Sequence, residues 1–86
     1  MYSKNLVVKN NTGLHARPAS QLAELCRSVE SNIKIITETR EINPKSIINL
    51  LAGGLAKGTE FTLQLEGPDE NEAGEKIAEF INNLTE

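Results

Sequence analysis

Thr59-Glu60-Phe61-Thr62-Leu63-Gln64-Leu65-Glu66 alternates between apolar and polar side chains. Phe61, Leu63 and Leu65 fall on one side of an extended chain and Thr62, Gln64 and Glu66 on the other, because successive strand side chains point to opposite faces. One dry and one solvated face is the mark of an antiparallel sheet covered on one side. Gly67-Pro68 ends this strand. Beyond it Ala73, Ile77, Phe80, Ile81 and Leu84 recur at helical spacing and predict a closing helix with a buried stripe. Asp69, with Glu72 three residues on, has the pattern of a capping box.

Upstream of the strand, Gly53-Gly54 and Gly58 break the chain, and Ser46 is placed to cap a short apolar helix from Ile47 to about Ala52. Ile33 to Thr37 is rich in β-formers, and Arg40 to Asn43 returns as its hairpin partner before Pro44 stops the strand. The turn between them, Thr37-Glu38-Thr39, lacks the Gly or Asn that tight hairpins favour. From Ala16 to about Ser28 the period is helical, with Ala19, Leu22, Ala23, Cys26 and Val29 on one stripe and Gln21, Glu24 and Arg27 off it. Leu6 to Val8 reads as a first strand, followed by the turn residues Asn10-Asn11-Thr12-Gly13. The order is β-α-β-β-α-β-α, an α+β arrangement in which helices on one face of an antiparallel sheet bury both sets of apolar stripes.

Composition narrows the functional classes. With 86 residues the chain is expected to form one domain, residues 1–86, which buries about 60–65% of its unfolded surface. A net charge of −3 argues against non-specific nucleic-acid binding, and a Tyr and two Phe make a poor base-stacking platform. One Cys excludes an internal disulfide, and with one His it leaves no ligand cluster for a metal. No apolar run approaches the ~20 residues that cross a membrane, so no membrane insertion is expected. The segment from Met1 to Asn11 is polar and alternating, unlike a signal peptide, and the expected location is the cytoplasm.

The chemistry concentrates in Gly13-Leu14-His15-Ala16-Arg17-Pro18. His15 sits where a turn feeds the first helix. A helix N-terminus presents backbone N–H groups, here expected from Ala16 and Arg17, to phosphate oxygens. Its partial positive charge favours a neutral, nucleophilic imidazole. Arg17 can pair with phosphate oxygens in fork geometry. Pro18 loses nothing by lacking an N–H in the first turn and stiffens it. Gly13 supplies a backbone conformation that other residues resist. The plain alternatives are a solvated cap-region histidine and a solvated arginine. Arg17 opposes the helix dipole, however, and such local conflicts collect at functional sites. One His with one Arg, and no second acid or base, argues against a free-standing enzyme.

This hexapeptide resembles the active-site segment of the HPr family, the histidine-containing phosphocarriers of the bacterial phosphoenolpyruvate-dependent sugar phosphotransferase system. The likeness extends along the chain. Pro44-Lys45-Ser46-Ile47 falls at the family's regulatory serine, Leu55-Ala56-Lys57-Gly58-Thr59-Glu60 at the approach to its fourth strand, and Gly67-Pro68-Asp69-Glu70-Asn71-Glu72 at the acidic start of its last helix. The resemblance implies an open-faced β-sandwich, four antiparallel strands with three helices on one face. It implies that His15 accepts a phosphoryl group on Nδ1 from enzyme I and passes it to a sugar-specific enzyme IIA. Arg17 would stabilise the phosphate, supported by Thr12, Gly13, Ala16 and Pro18. No cofactor and no metal are implied, and a monomer is the simplest expectation.

The same resemblance makes Ser46 a site for an ATP-dependent HPr kinase/phosphorylase, with a catabolite-control transcription factor as a regulatory partner. The plain reading of Ser46 is a helix cap. Ile47, Leu50 and Leu51 cannot all face the core on two turns without exposing another apolar residue such as Ile48. Ile47, Ile48 and Leu51 are therefore the candidate docking residues. Cys26, on the buried stripe, reads as core. Three positions depart from the family pattern: no Gly near Thr39, Pro44 just before the serine, and Gly53 where relatives carry a larger apolar residue, which is expected to fray the short helix. Two rival readings are an HPr-shaped regulatory module acting mainly through phospho-Ser46, and an unrelated α+β interaction domain. Retention of His15 speaks against the first, since regulatory paralogues are known to have lost it.

Overall fold

The structure, a computed structural model, describes residues 1–84. Its elements are β1 (Tyr2–Val7), α1 (Ala16–Arg27), β2 (Asn32–Ile36), β3 (Glu41–Ile42), α2 (Ile47–Ala52), β4 (Glu60–Glu66) and α3 (Glu70–Asn82). The strand read first, β4, is the inner spine of the sheet. It pairs antiparallel with β1, Tyr2 opposite Leu65 and Val7 opposite Glu60. On its other side it pairs antiparallel with β2, Ile33 opposite Leu65 and Ile35 opposite Leu63. β3 joins the outer edge of β2, giving the order β1-β4-β2-β3.

The alternation in β4 does what it predicts. Phe61, Leu63 and Leu65 are buried, while Thr62 and Gln64 are only half-buried on the uncovered face. There Thr62 Oγ1 donates to Asn5 Oδ1 at 2.8 Å across the β1–β4 pair. On the covered face the three strand residues meet Leu6, Ile33 and Ile35 from the neighbouring strands, Leu22 and Cys26 from α1, and Ile77 and Ile81 from α3 in one core. Burying each leucine of this set contributes about 1.5–3 kcal/mol. Phe80 and Leu84 are only partly buried at the margin of this core, so the α3 stripe is narrower than its spacing predicts. The fold is the expected α+β open-faced sandwich of four antiparallel strands and three helices.

Local departures from expectation have packing causes. β1 starts at Tyr2, ahead of the apolar run, because it pairs with β4 from Glu60 to Leu65. The Tyr2 ring lies against Gly74 of α3, where an added Cβ would run into it. The β2–β3 hairpin turns without Gly because Thr37 takes that role: its N–H donates to Arg40 O at 2.9 Å and its Oγ1 accepts from Arg40 N at 3.2 Å. Asp69 and Glu72 do not form a capping box, since Asp69 makes no side-chain cap to α3. Its carboxylate instead accepts from the backbone N–H groups of Glu30 (3.0 Å) and Ser31 (2.9 Å) and from the Ser31 hydroxyl. Glu70 reaches back to cap the turn, with Oε1 accepting from Gly67 N at 3.2 Å.

Gly53 corrects another expectation. The end of α2 is held, not frayed: Gly53 N–H donates to Leu50 O, and Arg40 Nη1 donates to Ala52 O at 2.7 Å. A Cβ at Gly53 would meet the Ile42 side chain, so the glycine admits β3 against the helix end. Pro44, the other departure, is fully buried between β3 and α2 in the chain.

Candidate phosphoryl-acceptor site

The loop from Val8 to His15 is held by the segment that leads into β4. Val8 N donates to Thr59 O at 3.0 Å, and Gly58 N donates to Val8 O at 2.8 Å. Lys57 Nζ donates to Asn11 Oδ1 at 2.9 Å. Closer to the histidine, Leu14 N donates to Leu55 O at 2.9 Å, and the Leu14 side chain is buried. Gly13 sits at φ +66°, and a Cβ there would lie 2.5 Å from Leu55 O. Both its left-handed backbone and this close approach require glycine. Asn10 closes the turn from inside: Gly13 N donates to Asn10 O at 3.2 Å, and Asn10 Nδ2 donates to Gly13 O at 2.7 Å.

His15 follows as the N-cap of α1, in extended conformation at φ −80° and ψ −170°. Its carbonyl accepts the helix's first bond, from Ala19 N at 2.9 Å. The imidazole makes no side-chain cap to α1 and is exposed, so a reacting group can reach it. Ala16 and Arg17 open the helix on the surface, and Pro18 is buried beneath them. Among the described residues the first turn of α1 carries no acidic residue of its own, and a helix start of that kind favours an anion. Arg17 lines a shallow groove between α1 and α3 with Gln21, Glu79, Phe80 and Asn83. Thr12 is exposed at the tip of the turn. Among the described residues no group of three or more His, Cys, Asp and Glu side chains could hold a metal ion.

Ser46 and the apolar residues after it stand on α2, which packs against α1. Ser46 is the N-cap of α2, its hydroxyl accepting from Asn49 N at 3.3 Å. It is half-buried. Arg27, at the last turn of α1, donates from Nε to Lys45 O at 3.0 Å and ties the two helices beside the serine. Of the apolar residues, Leu50 is buried, Ile47 is partly buried, and Ile48 and Leu51 are 77% and 48% exposed. Cys26 is fully buried, and burial pushes its thiol up to about 12 against a lesser opposing influence of Lys45.

The structure therefore gathers Thr12, Gly13, His15, Ala16, Arg17 and Pro18 into one loop and helix start. It sets Ser46, Ile48 and Leu51 on an adjacent helix. Asn10, Leu55 and Lys57, which hold that loop, carry no chemical signal in the sequence. Asn10 reads there as one more turn residue, and the contact with Leu55 is made through its backbone.

A family model described as the PTS HPr component phosphorylation site matches residues 2–83. The phosphocarrier protein HPr of Lysinibacillus sphaericus is 37% identical, over 98% of this chain and 96% of that one. Among solved structures, an HPr from Thermoanaerobacter tengcongensis superposes with a TM-score of 0.90 at 33% identity, covering 95% of this chain and 92% of that one. Crh, the catabolite repression HPr of Bacillus subtilis, matches with a TM-score of 0.71 at 32% identity, covering 98% of this chain and all of that one.

Proposed function

The chain belongs to the HPr family of phosphocarriers of the sugar phosphotransferase system, and from that premise we propose that His15 is its phosphoryl acceptor. The family's members work as carriers rather than as catalytic enzymes, and they interact with enzyme I and enzyme IIA. In this reading phospho-enzyme I docks over α1 and α2. The imidazole Nδ1 lone pair attacks phosphorus as the bond to the donor atom on enzyme I breaks. The group then leaves the same way to an acceptor atom on a sugar-specific enzyme IIA. Phosphoryl transfer of this kind depends on positioning and electrostatics more than on acid–base chemistry. Arg17 and the α1 N-terminus supply the countercharge, and Thr12, Gly13, Ala16 and Pro18 shape the loop. The relay runs in the cytoplasm, with residues 1–86 acting as one domain.

The observation that carries this reading is an exposed histidine at the mouth of a helix that has no acid in its first turn, on a loop pinned by a second loop. With phosphoenolpyruvate and enzyme I, the protein gains the mass of one phosphoryl group in an acid-labile adduct that His15→Ala abolishes. A native protein that takes no such group from a competent enzyme I would sink the reading.

Ser46 adds regulation to the proposal. An ATP-dependent HPr kinase/phosphorylase places an acid-stable phosphate on its hydroxyl, adding about −1.5 to −2 charge next to the exposed Ile48 and Leu51. That charge weakens docking of enzyme I and favours a catabolite-control transcription factor. The likeness to Crh supports a second reading, a module that acts mainly through phospho-Ser46. The two part on the enzyme I assay: the module is phosphorylated by the kinase but accepts nothing at His15.

A further inference from the structure

Asn10 is buried, 4% exposed, although the turn it opens is otherwise polar and its neighbour Asn11 is exposed. A solvated turn asparagine would need no burial, and the backbone turn already closes through Gly13 N and Asn10 O. The side chain adds a separate bond, from Nδ2 to Gly13 O at 2.7 Å. Turned the other way, the amide would set its oxygen against the Gly13 oxygen, so the donor end must face inward. Its own Oδ1 is then left buried without a hydrogen-bond partner. Native proteins seldom keep such an orphan, which is costly, unless the group serves something besides packing.

What Asn10 holds is one particular peptide plane. Gly13 O and Leu14 N–H belong to the same unit. Its oxygen is fixed by Asn10 Nδ2 and its N–H by Leu55 O at 2.9 Å. This doubly clamped plane is the last one but one before His15, and Gly13 at φ +66° sets its tilt. A rotation there would disturb buried Leu14 and reorient the backbone that delivers His15 to the start of α1. We infer that Asn10 is a positioning residue for the phosphoryl group on His15, fixing the Gly13–Leu14 peptide so that the imidazole is aimed with the helix N-terminus. The inference rests on the phosphocarrier reading above and assigns it a residue that touches neither the phosphoryl group nor a partner.

The test measures the rate of phosphoryl transfer from phospho-enzyme I to the wild type, Asn10→Ala and Asn10→Asp, with Ile33→Val as a control that loosens the core beside Leu65, at the end of β4 away from Thr59 and the loop. Asn10→Asp keeps the size but has no donor at neutral pH. Misplacement of reacting atoms by about 1 Å costs on the order of 100-fold. Both Asn10 variants are therefore expected to lower kcat by about 10- to 100-fold, with KM within about twofold, while the control keeps the wild-type kcat. Asn10 variants that fold and transfer within about twofold of the wild type overturn the inference, as does a control that loses as much kcat as they do. A wild type that accepts nothing overturns the phosphocarrier reading instead. Should neither variant fold, the wild type still decides by NMR. A scalar coupling through the hydrogen bond from Asn10 Nδ2 to the Gly13 carbonyl carbon, with resonances that move when His15 is phosphorylated, supports the inference. Absence of the coupling, or resonances that stay still, overturns it.

Discussion

On the proposed reading, one oxygen of Ser46 serves as both helix cap and phosphate acceptor. As a cap it accepts from Asn49 N at 3.3 Å and holds the start of a six-residue helix. Ser46→Ala is thus expected to lower stability by about 0.5–2 kcal/mol and to abolish the acid-stable phosphate that ATP and the kinase add. Chemical denaturation and mass spectrometry check the two effects separately. Kinase labelling that persists in Ser46→Ala would place the modification elsewhere. The local placement was readable without a structure: His15 at the start of α1 with Arg17 and Pro18 in its first turn, and Ser46 as the cap of a short apolar helix. Asn10 was not, because nothing within the turn Asn10-Asn11-Thr12-Gly13 distinguishes the asparagine that goes inside from the one that stays out. The conformation of that turn depends on Leu55 and Gly58, which bond Leu14 and Val8 on either side of it and come from far along the chain.

The short helix α2 offers a surface and a brace at once. Leu50 anchors it in the core, which leaves Ile48 and Leu51 pointing outward, 77% and 48% exposed. Because Ile48 contributes little to the core, Ile48→Lys should leave the melting temperature almost unchanged, as surface substitutions usually do within about 0.5 kcal/mol. In the proposed relay the same change raises KM for transfer from enzyme I about five- to tenfold, the scale of one interface anchor. Steady-state kinetics checks it, and an unaltered KM would remove Ile48 from the docking face. Ile47 to Ala52 could be delimited from sequence because cap, apolar run and glycine all lie within one local window. The end of that helix could not, since it depends on Arg40 reaching from the hairpin and on Ile42 filling the place of a side chain at Gly53.

Acid sensitivity belongs to the molecule as a whole, because the groups concerned tie distant elements together. Asp69 lies below its ordinary 3.8, chiefly through the Ser31 hydroxyl and then the Glu30 backbone N–H, and so links the start of α3 to the start of β2. Glu70 lies below 4.5 through the Met1 amino group first and the Gly67 N–H next. A carboxylate with a folded pKa below its unfolded one stabilises the fold above the unfolded value and loses that contribution as pH falls through the folded value. Melting temperature should therefore decline as pH drops below about 4.5, and most steeply below about 3.8. Asp69→Asn should melt lower at neutral pH and show a shallower acid decline. Thermal melts across that range check this, and an Asp69→Asn slope equal to the wild type would refute it. The layered architecture was legible because alternation in β4 and the apolar stripes of α1 and α3 each demand a partner face. The placing of β4 between β1 and β2 was not, since strand order rests on which pairings close the whole core.

The pins on the His15 loop also set an order of assembly. Leu55, Lys57, Gly58 and Thr59, which hold residues 8–14, follow both helices that flank the reactive surface, and β1 finds its partner only in β4. A chain growing from its N-terminus thus carries His15 long before it carries the backbone that aims it. Contacts so distant in sequence form late, because closing a long loop is entropically costly. On the proposed reading, competence to hold a phosphoryl group at His15 is then acquired together with the closing of the sheet, and a half-made chain is expected to take none from enzyme I.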